Sequence, residues 1–169
     1  MPSKLLRLLK HRCWDERDTR RALDREALDR LQARIAASEQ QHSAEIRVCV
    51  EASLPLSYLW RNASARERAL ALFGKLRVWD TEHNNGVLIY LLLVERRIEL
   101  VADRGLLHRV DASVWQTLVE GMSESFKNRQ FEAGLSQAVD QVSALLTQHF
   151  ALAAGTVNSN ELPDRPTLL

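Results

Sequence analysis

The sequence predicts an α/β protein, a three-layer α/β/α arrangement around a small mixed sheet, and three stretches carry that prediction. Residues 45–52 alternate, with Ile46, Val48 and Val50 on one face and Arg47, Cys49 and Glu51 on the other, the pattern of a half-buried strand. Residues 87–94 are eight apolar side chains without alternation, as in a central strand covered on both faces. Between them, Ser64 precedes a helical pattern to about Leu76, long enough to cross over and make the two strands parallel.

The remaining elements follow the same logic. Ile98, Leu100 and Ala102 resume alternation after Glu95 and Arg96, which predicts a hairpin returning an antiparallel strand along the central one. Asp24 is placed to cap a helix to about Gln41, with Leu28, Leu31, Ile35 and Ser38 at helical spacing. The crossover helix is expected to bury Ala65, Ala69, Leu70, Leu72 and Phe73. Two more helices are expected over 111–127, with Val114, Trp115, Leu118, Met122 and Phe126 inward, and over 131–150, with Leu135, Val139, Val142 and Leu146 inward. Residues 53–62, with Pro55, read as a loop carrying Leu54, Leu56, Tyr58 and Trp60. After Phe150 the period fades into an extended or mobile tail. The organisation is therefore a lead-in over 1–23, an α/β domain over 24–150 and a tail over 151–169.

Composition narrows the class. A chain of 169 residues with 46% apolar and 27% charged side chains can build a core without metal or disulfide staples. Its 23 basic and 22 acidic side chains nearly cancel, so no net field favours nucleic acid. Cys13 and Cys49 lack zinc or redox spacing and suit a reducing, cytoplasmic setting. The longest apolar run is shorter than a membrane helix needs, roughly 20 residues. Leu5, Leu6, Leu8 and Leu9 alternate with Lys4, Arg7, Lys10 and Arg12 as in a short basic amphipathic helix, whose leucines either pack on the domain or touch a membrane surface.

Topology gathers the candidate chemistry. With two parallel strands and an antiparallel third, Glu39, His42 and Glu45, the loop bearing Trp79, Asp80, Glu82, Asn84 and Asn85, and Asp103 with Arg104 converge on one rim of the sheet. Oxygen ligands such as Glu82, Asn84 and Asp103 suit calcium or magnesium. The same polar residues equally serve turns and caps. Asp111 reads as an N-cap, and Arg66 and Arg68 as a solvated face or an anion contact. No activated nucleophile, phosphate-cradling glycine loop or paired metal cluster of a phosphatase is legible, and Cys49 sits mid-strand.

Three segments resemble the TPM domain family: WDTEHNNGVLIY over 79–90, RIELVADRGL over 97–106 and FKNRQFEAG over 126–134, together with NELPDRP over 160–166. The resemblance spans about 31–150 and implies a compact bacterial member of that α/β fold. It implies an interaction or accessory module of membrane complexes, with a LemA-type membrane protein as partner. Alternatively it implies a calcium- or magnesium-dependent phosphatase using the rim carboxylates. Where calcium-binding relatives carry a run of acids, this chain has Glu82-His83-Asn84.

Overall fold

From the amino end the chain forms α1 (Lys4–Arg12), α2 (Glu16–Ala22), α3 (Arg25–Glu39), β1 (Ile46–Glu51), α4 (Leu56–Trp60), α5 (Ala65–Lys75), β2 (Val87–Leu92), β3 (Arg97–Ala102), α6 (Arg104–Leu107), α7 (Ala112–Lys127), α8 (Phe131–Phe150) and β4 (Thr167–Leu168). The computed structural model describes residues 4–153, 155–156 and 158–169. Met1, Pro2 and Ser3 of the expected lead-in, and Ala154 and Val157 of the expected tail, lie outside the described residues.

The sheet has the order β3-β2-β1-β4. β1 and β2 are parallel, with Ile46 opposite Val87 and Glu51 opposite Leu92, and β3 returns antiparallel with Ala102 opposite Val87. This is the predicted β-α-β unit and hairpin, with α5 as crossover. Every residue of β2 is buried because the sheet is covered on both sides. Ile46, Val48, Val50, Val87, Ile89 and Leu91 meet Leu31 and Ile35 of α3, Met122 and Phe126 of α7, and Leu135 and Val139 of α8. On the opposite face Cys49, Leu88, Tyr90 and Leu92 meet Ala69 and Leu72 of α5, with Leu59 and Leu162. The result is three layers, helix, sheet and helix.

Local signals set the helix starts. Ser64 and Glu67 form a capping box that opens α5, Asp24 accepts from the Ala27 amide and Asp111 from the Ser113 amide. Three short helices, α2, α4 and α6, went unread: Asp15 and Asp18 make a capping box for α2, a polar turn whose only buried residue is Thr19. A second short turn, α4, occupies part of the expected loop and is seated through Leu59.

Three expectations are corrected and two, for the tail and for the leucines of α1, are sharpened. β1 is buried at all six positions rather than on one face, since Leu59, Ala69, Leu72 and Leu162 cover the face bearing Cys49 and β4 closes the edge, Cys49 opposite Thr167 and Val50 opposite Leu168. The segment expected to be an extended or mobile tail is extended and held. Arg47 donates to the carbonyls of Pro163 and Arg165 and to Thr167 Oγ1, and the Leu169 amide bonds Val50. Leu70 and Val114, expected inward, are exposed, because the buried stripes of α5 and α7 are narrower than their apolar content. Arg68, expected on a solvated face or at an anion, is buried and bidentate on Glu51, whose other donor is the Tyr90 hydroxyl at 2.6 Å. Of the leucines in α1 only Leu8 packs against the core, whereas Leu5, Leu6 and Leu9 face outward.

Candidate functional site

The rim predicted from topology forms at the start of β1 and β2. Backbone register continues past the strand ends there: the Val87 amide donates to the Glu45 carbonyl and the Asp103 amide to the Gly86 carbonyl, so Glu45, Gly86 and Asp103 lie in one row. A side chain at position 86 is impossible without rearrangement, since a Cβ there would stand 2.0 Å from the Val78 carbonyl oxygen. Asn84 takes the left-handed conformation, φ 50°, that its side chain tolerates. Its carbonyl accepts from the Gly105 amide, which fastens the 79–85 loop to α6.

The expected rim residues separate into a buried set and an exposed set. In the buried set, Glu39 Oε1 accepts from the Ile46 amide at 2.8 Å, and Glu45 Oε2 accepts from the Leu162 amide at 3.1 Å. Burial, followed for Glu39 by the nearby Glu45 charge, lifts the Glu39 carboxyl to about 8 and the Glu45 carboxyl to about 7. His42 is held between Ser38 Oγ and the Ala44 carbonyl, and burial lowers its pKa from the ordinary histidine range. Asn85 donates to the Ser43 carbonyl, and Asp103 caps α6 by accepting from the Arg104 amide at 2.6 Å.

Exposed members of the rim have weaker ties. Trp79 is half exposed, Asp80 pairs with Arg77, and Glu82 offers its amide to Glu161. Arg104 Nη2 reaches Asn84 Oδ1 at 3.4 Å.

Among the described residues Glu45 Oε1, Asn85 Oδ1 and Asp103 Oδ2 are buried acceptors without a hydrogen-bond partner, the kind of oxygen a hard cation seeks. They do not form one cage. Strand alternation carried past the ends puts Glu45 and Asp103 on the α5 face, a full strand apart across Gly86, and Asn85 on the other. Among the described residues no group of three or more His, Cys, Asp or Glu side chains is arranged to hold a metal ion. Of the expected calcium or magnesium ligands, Glu82 donates its amide to Glu161, Asn84 Oδ1 accepts from Arg104, and one oxygen of Asp103 accepts from the Arg104 amide. Cys49, the one strand cysteine, is buried, and burial pushes its thiol up to about 12, far from a thiolate nucleophile.

A neighbouring cleft was not foreseen. Ser43, His83, Gly105, His108, Arg109, His149, Phe150 and Ala151 line a cavity of 540 Å³ beside the rim. Arg109 stacks its guanidinium 4.5 Å over the Phe150 ring and donates to the His149 carbonyl. Three imidazoles, a guanidinium and a hydroxyl line this cleft without a carboxylate, a composition suited to an anionic group. Its residues come from four separate segments, which no spacing rule connects.

The TPM domain model matches residues 17–145, most of the chain. The chain belongs to the TPM domain family. A solved relative has the same architecture: the NMR structure of the BA42 protein from the psychrophilic bacterium Bizionia argentinensis superposes with a TM-score of 0.75 at 25% identity, covering 86% of this chain and 94% of that one. No curated protein matches. The TPM match includes the 79–90 loop and strand, the hairpin and the α7–α8 link, so the family likeness covers the rim as well as the sheet.

Proposed function

We propose that this TPM domain is a non-enzymatic accessory module that docks a protein of membrane complexes through the exposed half of its rim and the histidine-lined cleft beside it. One observation carries the reading: the rim's buried carboxyls are engaged by backbone amides at Ile46 and Leu162, whereas Trp79, Arg104 and the cleft face outward. Groups held that way maintain the fold; groups facing outward are available to a partner. Trp79 supplies apolar area, and Arg104 and Arg109 supply fixed positive charge, so the fitting partner is a segment with an aromatic or aliphatic anchor followed by carboxylates or a phosphate. A LemA-type membrane protein is the first candidate from the family likeness. The unpaired thiols Cys13 and Cys49 support contact on a cytoplasmic face.

The competing reading is a calcium- or magnesium-dependent phosphatase working through the rim carboxylates. Amide spectra of the full chain separate the two. Adding the soluble domain of a LemA-type protein is expected to shift Trp79, His83, Arg104 and His108, and Trp79→Ala with Arg104→Ala is expected to remove the shifts without lowering the melting temperature. Addition of calcium or magnesium is expected to leave Glu82, Asn84 and Asp103 unmoved, and a generic phosphomonoester is expected to stay intact. Metal-dependent hydrolysis that disappears in Asp103→Asn would overturn the accessory reading.

A further inference from the structure

An amphipathic helix on a domain surface normally turns its apolar stripe inward. α1 does the opposite. Its polar residues make the attachment: Arg7 donates from Nε to Glu95 Oε1 at 2.8 Å, from Nη1 to Asn62 Oδ1 at 3.1 Å and from Nη2 to the Ala63 carbonyl at 2.9 Å. His11 is buried and bridges the same carboxylate and the Leu54 amide, each at 3.0 Å, so Nδ1 accepts and Nε2 donates to Glu95. Glu95 is held down to about 2: burial works against its charge, and the hydrogen bonds from His11 and Arg7 more than offset that. The helix is therefore fixed rigidly through ionic and hydrogen-bonded anchors, with Leu8 as its apolar contact to the core.

The leucines left over point away. Leu5, Leu6 and Leu9 are 66%, 59% and 56% exposed. α4 adjoins α1, since Arg7 reaches Asn62 and Ala63 just beyond its end and His11 reaches Leu54 just before its start. It adds Trp60 at 64% and Leu56 at 50% exposure. Among the described residues, five of the nine large apolar side chains that are exposed thus belong to these two short helices. The charges carried on the two helices are of one sign. α1 has no carboxylate, and Lys4, Lys10 and Arg12 are exposed on it, with Arg61 at the end of α4.

We propose that α1 and α4 together form a surface that lies on an anionic lipid bilayer, with Leu5, Leu6, Leu9 and Trp60 entering the headgroup and acyl boundary and Lys4, Lys10 and Arg12 meeting lipid phosphates. Charge decides the occupant. Leucines on a helix that itself carries only cations match a surface that is apolar beneath and negative above, and a tryptophan at the edge suits that interface. The surface lies away from the rim, so it does not depend on the docking function proposed above. Among the described residues no helix is long and apolar enough to cross a membrane, so this contact is peripheral.

Sedimentation of the full chain with vesicles tests this. Binding is expected to vesicles of phosphatidylcholine mixed with phosphatidylglycerol and to fall sharply with phosphatidylcholine alone or on adding salt. Leu5→Glu with Leu9→Glu is expected to abolish sedimentation. Lys4→Glu with Lys10→Glu is expected to weaken it by about tenfold or more, at roughly 1 kcal/mol for each basic residue at the surface. All four positions are exposed, so an unchanged circular dichroism melt checks that the fold survives. The proposal is overturned if the unaltered chain fails to sediment with the anionic vesicles, or if the Leu5→Glu, Leu9→Glu variant sediments as well as the parent. It is equally overturned if the leucines instead mediate association of two copies and no vesicle is bound.

Discussion

The two ends of β1 both carry buried acid, yet they handle it in different ways. At the finish of the strand Glu51 lies against Arg68, which donates from Nε and Nη2, and against the Tyr90 hydroxyl. Burial works against the Arg68 charge, but the Glu51 carboxylate outweighs it and the guanidinium pKa is raised; burial and then Glu51 raise that of Tyr90. At the start, Glu39 and Glu45 accept from backbone amides and have acids rather than a cation beside them, and burial drives their carboxyls up to about 8 and 7. A buried acid without a cation beside it titrates near neutrality. The finish of β1 is accordingly a fixed structural pair, and its start is the part of the molecule sensitive to pH.

Breaking the fixed pair is expected to have the largest effect. Arg68→Met leaves Glu51 buried without its cation and should cost about 3–5 kcal/mol, read from the urea midpoint at unchanged slope. A loss below about 1 kcal/mol would mean that solvent reaches Glu51 and the contrast between the two ends fails.

The pH response comes next. Unfolded, Glu39 and Glu45 ionise near 4.5, whereas the folded values are higher, so the native state holds their protons more tightly. Their contribution is complete below about pH 4.5 and disappears as pH rises through 7 to 8, a loss on the order of a few kcal/mol at about 1.4 kcal/mol per pH unit. Glu39→Gln keeps an oxygen for the Ile46 amide and cannot ionise, so its denaturation profile between pH 5 and 9 should be flatter than the parent's. An equally steep profile would place the titrating group elsewhere.

Tyr90→Phe is the mildest change. It removes one donor to a carboxylate that retains Arg68, with an expected cost of about 1–2 kcal/mol and no change in pH dependence.

Legibility from sequence followed periodicity. The unbroken apolar run at Val87–Leu92 and the capped helix at Ala65–Lys75 report their own burial, and parallel pairing follows from them. Arg47, Glu51 and Arg68 were misjudged because alternation assigns charged residues to solvent, and only the folded chain supplies the partners that let them be buried. β4 has no pattern of its own: two residues are too few for a period, and its anchors are backbone atoms bonded to a strand far away in sequence. The rim was found in outline, since strand direction fixes which ends meet. Its division into engaged and outward-facing residues was not, because hydrogen bonding to the Ile46 and Leu162 amides leaves no mark on spacing. The cleft stayed hidden for a similar reason, being assembled from His83, His108 and His149 on separate segments.

Arg47 reaches Arg165 across 118 positions of chain. Ring closure over such a span carries an entropic cost that rises only with the logarithm of its length, but the search for it is slow compared with forming a hairpin. A chain emerging from the ribosome would therefore present β1 with one flank bare until residues 163–169 have followed it, and during that interval the bare flank is where a second nascent copy would find backbone amides to pair with.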